Sequence, residues 1–324
     1  MSVPIAILYH ADCLDGFGAA YAAWTHFGNT ARYIPCHHGM HLEPSAYAGH
    51  RLYLLDYALP PEMLTTLAQH AASVTVIDHH LSAWQAWASH FGEQAPVDYQ
   101  HPHAPLRLIF DLEQAGCALS WQHFQPGQPM PLALQHIAAN DLWQHTDPDT
   151  RPFCRALRLL DFDFATWQPL MTVSMSADDF AYRQQVDRGQ TVERFLILEV
   201  ARMSGGRLPG PARLRGEPAD ALQALRHGQD IVTDGLSHWH ALPGLAANAP
   251  PLFASDLGHR LAQLSGTWGM TWHLDGNGQI KASLRSEGAV DVAAIAQRYG
   301  GGGHRKAAGF QMAALPFFRE VLGL

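Results

Sequence analysis

The sequence predicts an α/β protein, with an N-terminal parallel-sheet domain joined by a helical linker to a smaller α/β C-terminal domain. Three observations carry this. Short apolar runs alternate with helix-like stretches through the first half, the pattern of a parallel sheet with crossover helices. Three of those runs empty into Asp- or His-rich segments at the same end. Near the C-terminus, two alternating runs flank an Asp-Gly-Asn-Gly turn, a strong hairpin signal.

The elements follow in order. Val3 to Tyr9 is a strand that runs into His10-Ala11-Asp12-Cys13-Leu14-Asp15-Gly16. Phe17 to Phe27 is an alanine-rich helix, and Arg32 to Pro35 is a short strand. Residues 51–55 form a strand ending at Asp56; Pro60-Pro61 opens a helix to about Ala72, because proline is tolerated in a first turn. Strand 73–77 empties into Asp78-His79-His80. Helices are expected over Ala115–Phe124 and Pro131–Asn140, the second delivering Asp141. Ser176-Ala177-Asp178-Asp179 resembles a capping box and opens a long helix to Met203, with Gly189 as a weak point. The Gly-, Pro- and Arg-rich stretch to Gly228 reads as a connection, with a small strand as an option. The expected division is therefore 1–175, a connection over 176–228, and 229–324. In the last part come the strand Met270–Leu274, the turn Asp275–Gly278, the strand Gln279–Leu284, a helix over Val290–Arg298, and the run Gly300–Gly303 before His304-Arg305-Lys306.

Composition narrows the class. The 324 residues are 47% hydrophobic, so the chain is globular, and the net charge of −8 argues against a long nucleic-acid footprint. A short oligonucleotide stays open, since bound cations supply positive charge locally. Four scattered cysteines with no Cys-x-x-Cys pair imply neither a disulfide framework nor a zinc ribbon. With no apolar run near membrane-spanning length and no leader-like start, no membrane partner is expected and the expected location is cytoplasmic.

Asp-His-His at the end of a buried strand is the sharpest signal. Burying such groups unpaired costs several kcal/mol, so their charge calls for metal ions. In open α/β sheets ligands bind beyond the carboxyl ends of the strands, where His10, Asp12, Asp15, Asp56, Asp78, His79 and His80 all fall. Singly each has a plainer explanation: Asp15-Gly16 a turn, Asp56 a helix cap, His10 a satisfied core group. Together, with Asp141, they reverse that preference. A mixed His/Asp shell suits Mn²⁺, with Mg²⁺, Co²⁺ or Zn²⁺ as alternatives. Consecutive glycines let backbone N–H groups converge on an anion; the plainer reading is a flexible linker, which has no need of the basic His304-Arg305-Lys306 that follows. Arg285-Ser286 is a second candidate phosphate contact, balanced against a solvated strand end.

These pieces, His10-x-Asp12-x-x-Asp15-Gly16, Asp56, Asp78-His79-His80, Asn140-Asp141, Ser283-Leu284-Arg285-Ser286 and Gly300–Gly309, together resemble the DHH phosphoesterase superfamily with its DHH-associated C-terminal domain. The resemblance implies that His10 and Asp12 hold one divalent metal ion, that Asp15, His79 and Asp141 hold a second, and that Asp56 bridges them. It implies that His80 touches a phosphate oxygen with Asp78 behind it. Arg285, Ser286, Gly301, Gly302, Gly303, His304 and Arg305 are implied to hold substrate, His304 close to the chemistry. The superfamily motif has one residue between its two aspartates, whereas Cys13 and Leu14 both separate Asp12 from Asp15. The implied reaction is attack of a metal-activated hydroxide in line on phosphorus, with no protein nucleophile. Two substrate classes compete: short single-stranded oligonucleotides, degraded to mononucleotides, and small phosphoesters such as pyrophosphate, polyphosphate, nucleotide bisphosphates or cyclic dinucleotides. A non-catalytic nucleotide sensor is the third reading, and the full ligand set argues against it. A homodimer is compatible with all three.

Overall fold

The computed structural model describes residues 3–37, 39–91, 97–172, 175–206 and 208–324. The chain divides into two compact units, Met1–Glu193 and Arg194–Leu324. The first contains β1 (Ile5–His10), α1 (Leu14–Phe27), β2 (Ala31–Cys36), β3 (Arg51–Leu55), α2 (Pro61–His70), β4 (Ser73–Asp78), α3 (Leu81–Phe91), β5 (Val97–Gln100), β6 (Leu106–Phe110), α4 (Gly116–Phe124), α5 (Leu132–Asp141), α6 (Thr150–Leu157), α7 (Phe164–Trp167) and the start of α8 (Phe180–Gly205).

The first sheet has strand order β2-β1-β3-β4-β6-β5, parallel throughout except for β5, which runs antiparallel to β6. Successive side chains of a strand point to opposite faces, and each face here has its own core. Ile7, Tyr9, Tyr53, Leu55 and Ile77 pack with Phe17 of α1, Trp121 of α4 and Leu134 of α5. Ala6, Leu8, Leu52, Leu54, Val74 and Val76 pack on the other face with Leu64 and Leu67 of α2 and Trp87 of α3. Burial on both faces is why these strands read as continuous apolar runs rather than alternating ones. The chain leaves β1 toward β2 on one side and returns as β3 on the other, so the topological switch lies between β1 and β3.

The second unit contains β7 (Gly210–Pro218), α9 (Ala221–Arg226), β8 (Ile231–Asp234), β9 (Ser237–Asn248), α10 (Ala254–Ser265), β10 (Trp268–Leu274), β11 (Gln279–Ser286), α11 (Val292–Gln297), β12 (Gly302–His304), β13 (Ala307–Ala313) and α12 (Ala314–Glu320). Its strand order is β12-β13-β11-β10-β9-β7, with β8 paired to β9. No helix among the described residues is long and apolar enough to cross a membrane.

Two expectations change here. The stretch over 204–228 is not simply a connection: 210–218 is an edge strand antiparallel to β9, and α9 follows it. Arg215, which contributed to a linker-like composition, is buried and lies against Glu320 of α12 at 2.7 and 2.9 Å. It also reaches the Arg298 carbonyl at 3.0 Å and stacks 4.5 Å over the Tyr299 ring. A paired guanidinium tolerates burial that an isolated charge would not. Gly189 is likewise no weak point. Helix α8 runs straight through it, and any Cβ there would fall into the Pro152 carbonyl of α6. We therefore expect Gly189→Ala to lower the stability of the first unit by about 1–3 kcal/mol through overpacking. Helix propensity alone would predict a gain of roughly 1 kcal/mol, so the sign of the shift in thermal unfolding decides between crossing and weak point.

Candidate metal centre

Three parallel strands deliver the first set of groups. His10 ends β1, Asp56 directly follows β3, and Asp78 ends β4 with His79 and His80 next in the chain. Asp56 adopts φ 50°, a left-handed backbone that a non-glycine residue rarely takes, and strain of this kind clusters at functional sites. Two helices supply the rest. Asp15 lies in the first turn of α1, which begins at Leu14 rather than at Phe17, and Asp141 is the last residue of α5.

His79 is the hub. Its Nε2 lies 3.2 Å from Asp56 Oδ1, 3.5 Å from Asp15 Oδ2 and 3.5 Å from Asp141 Oδ2. His10 Nδ1 is 3.5 Å from the other Asp56 oxygen. Asp15, Asp56 and His79 are each at most 2% exposed, and the Asp141 side chain is 27% exposed. Asp15 is clamped from behind: its two oxygens accept the Gly116 and Cys117 backbone N–H groups at the start of α4, at 2.7 and 2.9 Å. Gly116 has to be glycine, since a Cβ would come within 2.7 Å of Asp56 Cβ and 2.9 Å of Asp15 Oδ2. Asp78 plays a bracing part. Its Oδ1 accepts from the His79 backbone at 2.8 Å and lies 2.7 Å from His80 Nδ1, which fixes the His80 ring.

The charges do not balance. Burial, then Asp56 and Asp141, push the Asp15 carboxyl up to about 8. Burial also raises Asp141. Burial opposes ionisation of Asp56, but the imidazoles of His10 and His79 outweigh it and hold that carboxyl well below the usual range. Burial likewise works against the His79 imidazolium, yet Asp56, Asp141 and Asp15 push it up to about 10. His80 is pushed up to about 9 by Asp78, again against burial. Crowded acids of this kind are neutralised by protons or by cations, and Asp15, Asp56, Asp141 and His79 are the hard, mixed O/N donors that divalent ions take.

Not every expected ligand joins the cluster. Asp12 has a side chain 88% exposed, turned toward His37 Nδ1 at 3.9 Å. Its place beside His10 and Asp56 is taken by Cys13: one donor atom from each of these three lies within 4.8 Å of the others. Asp15, His79 and Asp141 form a second group of the same tightness. Cys13 is not among the ligands expected from the sequence, although Cys13-Leu14-Asp15 has the one-residue spacing that Asp12 and Asp15 lack. The α4 donors to Asp15 carry no comparable sequence signal.

In the second unit, Ala307 pairs with His304 on one side and with Arg285 on the other. Directly paired residues share a sheet face, so Arg285 and His304 flank the small Ala307 side chain. The Arg285 guanidinium donates to Ser255 Oγ at 2.7 Å and to the Leu284 carbonyl at 2.8 Å. Ser286 is buried and belongs to the opposite face; Arg305 is exposed in the turn between β12 and β13. The glycine run has a packing reason: a Cβ at Gly301 would enter the Gly309 carbonyl, and Gly303, at φ 136°, would come within 2.6 Å of the Ala307 carbonyl. The Gly300 and Gly301 N–H groups are spent on Gln297 and Ala296. The loop is thus a close-packed hairpin entry, with Gly302 and Gly303 in its strand.

Residues 259–323 match the DHHA1 domain family, and the Asp-His-His triplet stands at the carboxyl end of β4. The C-terminal part of the chain is similar to the DHHA1 domain family over those residues. An uncharacterised protein of Acanthamoeba polyphaga mimivirus is 26% identical over 330 residues, covering 95% of this chain and 68% of that one. Among solved structures, RecJ in complex with Mn²⁺ from Thermus thermophilus aligns with 97% of this chain at 15% identity and a TM-score of 0.46. The present chain spans 50% of that RecJ. A pGpG-specific phosphodiesterase, PggH from Vibrio cholerae, aligns with 98% of this chain and 96% of its own at 12% identity and a TM-score of 0.35.

The protonation pattern bears on whether the His79 cluster takes up cations. With His79 near 10 and Asp15 near 8, the cation-free site carries protons at neutral pH, and divalent ions must displace them. Uptake of Mn²⁺ at pH 7 is expected to release protons, read from binding enthalpies in buffers of different ionisation enthalpy. Apparent affinity should fall as pH drops from about 8 to 6.

Proposed function

We propose that this chain is a metal-dependent phosphoesterase that hydrolyses short single-stranded oligonucleotides, RNA foremost, to mononucleotides. The observation that carries the reading is the convergence of three carboxylates on one histidine nitrogen within 3.5 Å, at the carboxyl ends of the strands flanking the sheet's switch point. The donor set fits two divalent ions: Asp15, His79 and Asp141 in one group, His10 in the other, and Asp56 with one oxygen toward each. Mn²⁺ is the ion expected of that mixed shell. When bound, such ions polarise phosphoryl oxygens and lower the pKa of water toward neutrality.

The protein groups do the positioning. Asp78 holds the His80 ring by Nδ1 and, by raising its pKa, keeps it a cation able to donate to a phosphate oxygen. Donors fixed in advance toward developing negative charge are the strongest contribution a site of this kind makes. In the second unit, Arg285 and His304 share a sheet face and are assigned to substrate phosphate. No serine or cysteine nucleophile is needed. The acidic chain, at net −8, suits short substrates over long polymers.

Two measurements check this. Di- to pentanucleotides incubated with Mn²⁺ should yield mononucleotides; phosphate release from pyrophosphate or polyphosphate with inert dinucleotides would move the assignment to a small-phosphate hydrolase. Asp56→Asn should cut turnover by more than the roughly 100-fold that losing even an outer partner of a metal site costs, while circular dichroism and the unfolding midpoint show a retained fold. Unchanged turnover in that variant would remove Asp56 from the reaction.

A further inference from the structure

We propose that Cys13 is a thiolate ligand to one of the two divalent ions, so that this position selects a softer cation than the one beside it. The inference rests on the metal-dependent reading above and adds the identity of a ligand. Cys13 caps α1 with an extended backbone, φ −117° and ψ 133°. This geometry places its sulfur with His10 and Asp56, the three donor atoms within 4.8 Å of one another. The neighbouring group, Asp15, His79 and Asp141, offers only carboxylate and imidazole donors.

Two further observations point the same way. Asp56 is 2% exposed and turns its Oδ2 toward His10 Nδ1, 3.5 Å away, on the side that Cys13 shares. A buried carboxylate is costly unless its charge is balanced, and a cation there balances it. The remaining thiols are occupied otherwise: Cys36 faces the Ile34 carbonyl at 3.5 Å, Cys117 the Leu134 carbonyl at 3.8 Å and Cys154 the His136 carbonyl at 3.5 Å. Asp12, the oxygen donor that would have made this position hard, points into solvent.

Ligand softness then separates the two positions. Thiolate favours Zn²⁺, Co²⁺ or Fe²⁺, whereas carboxylate and water favour Mg²⁺ and Mn²⁺. The chain is therefore expected to hold two different metals when both kinds are supplied, the softer one at His10, Cys13 and Asp56.

Cobalt reads this directly. The full chain is loaded with Co²⁺ under reducing conditions, bound metal is counted by equilibrium dialysis, and the near-ultraviolet spectrum is recorded. A thiolate-to-cobalt charge-transfer band is expected in the wild type and in the control Cys36→Ser. In the nearly isosteric Cys13→Ser the band should vanish, and the affinity of one ion should fall by roughly 10-fold or more while the other stays bound. Cys13→Asp should shift the weakened position from Zn²⁺ toward Mg²⁺. Wild-type cobalt stoichiometry without the band, a band that survives in Cys13→Ser, or an unaltered metal preference in Cys13→Asp overturns the thiolate ligand and leaves the hydrolase reading standing. Failure to bind any cobalt, manganese or zinc overturns both.

Discussion

The first unit is organised around an electrostatic problem at His79. Three carboxylates approach one imidazole nitrogen within 3.5 Å, and two of them are almost wholly buried. Such crowding survives only because the scaffold is rigid and a counter-charge is at hand. The parallel sheet provides the rigidity. Each strand is locked on both faces by its own core, so the loops at the strand ends cannot relax apart. The left-handed backbone of Asp56 is tolerated on the same terms.

The architecture allots roles by position. Strand ends contribute His10, Asp56 and the Asp78–His80 triplet, and helix termini contribute Asp15 and Asp141. Asp78 is the most deeply buried of the acids and is bonded through Oδ1 to the backbone and ring of its neighbours, so it shapes the turn. The second unit follows a different logic. Its sheet is mostly antiparallel, and the same-face pair Arg285 and His304 is set by register across β13.

Much of this could be read from the residues. The runs at 5–10, 51–55 and 73–78 are apolar because both faces of the strands are covered, and length and flanking residues marked them as strands. The hairpin of β10 and β11 was visible in its turn residues. Three things were not. Strand β6 carries Arg107, which pairs with Asp98 of the edge strand β5 at 2.7 Å, and the charge hides an otherwise apolar strand. Strand β9 contains Pro243 and Gly244, which speak against a strand until Trp268 is seen packing directly over the glycine. Residues 210–218 looked like a linker because Arg215 finds its partner, Glu320, more than a hundred residues later. In the site itself the residue types were legible, whereas the exchange of Asp12 for Cys13 depends on where a two-residue turn points its side chains.

The helix-α4 clamp on Asp15 has a consequence for ion size. Both carboxylate oxygens already receive backbone donors, so a swing that turned both oxygens onto one ion would cost those hydrogen bonds. Calcium relies on such bidentate carboxylates to gather its roughly six to eight oxygen ligands. A carboxylate tethered at both corners disfavours that large, loosely organised shell, and it does so before any ion arrives.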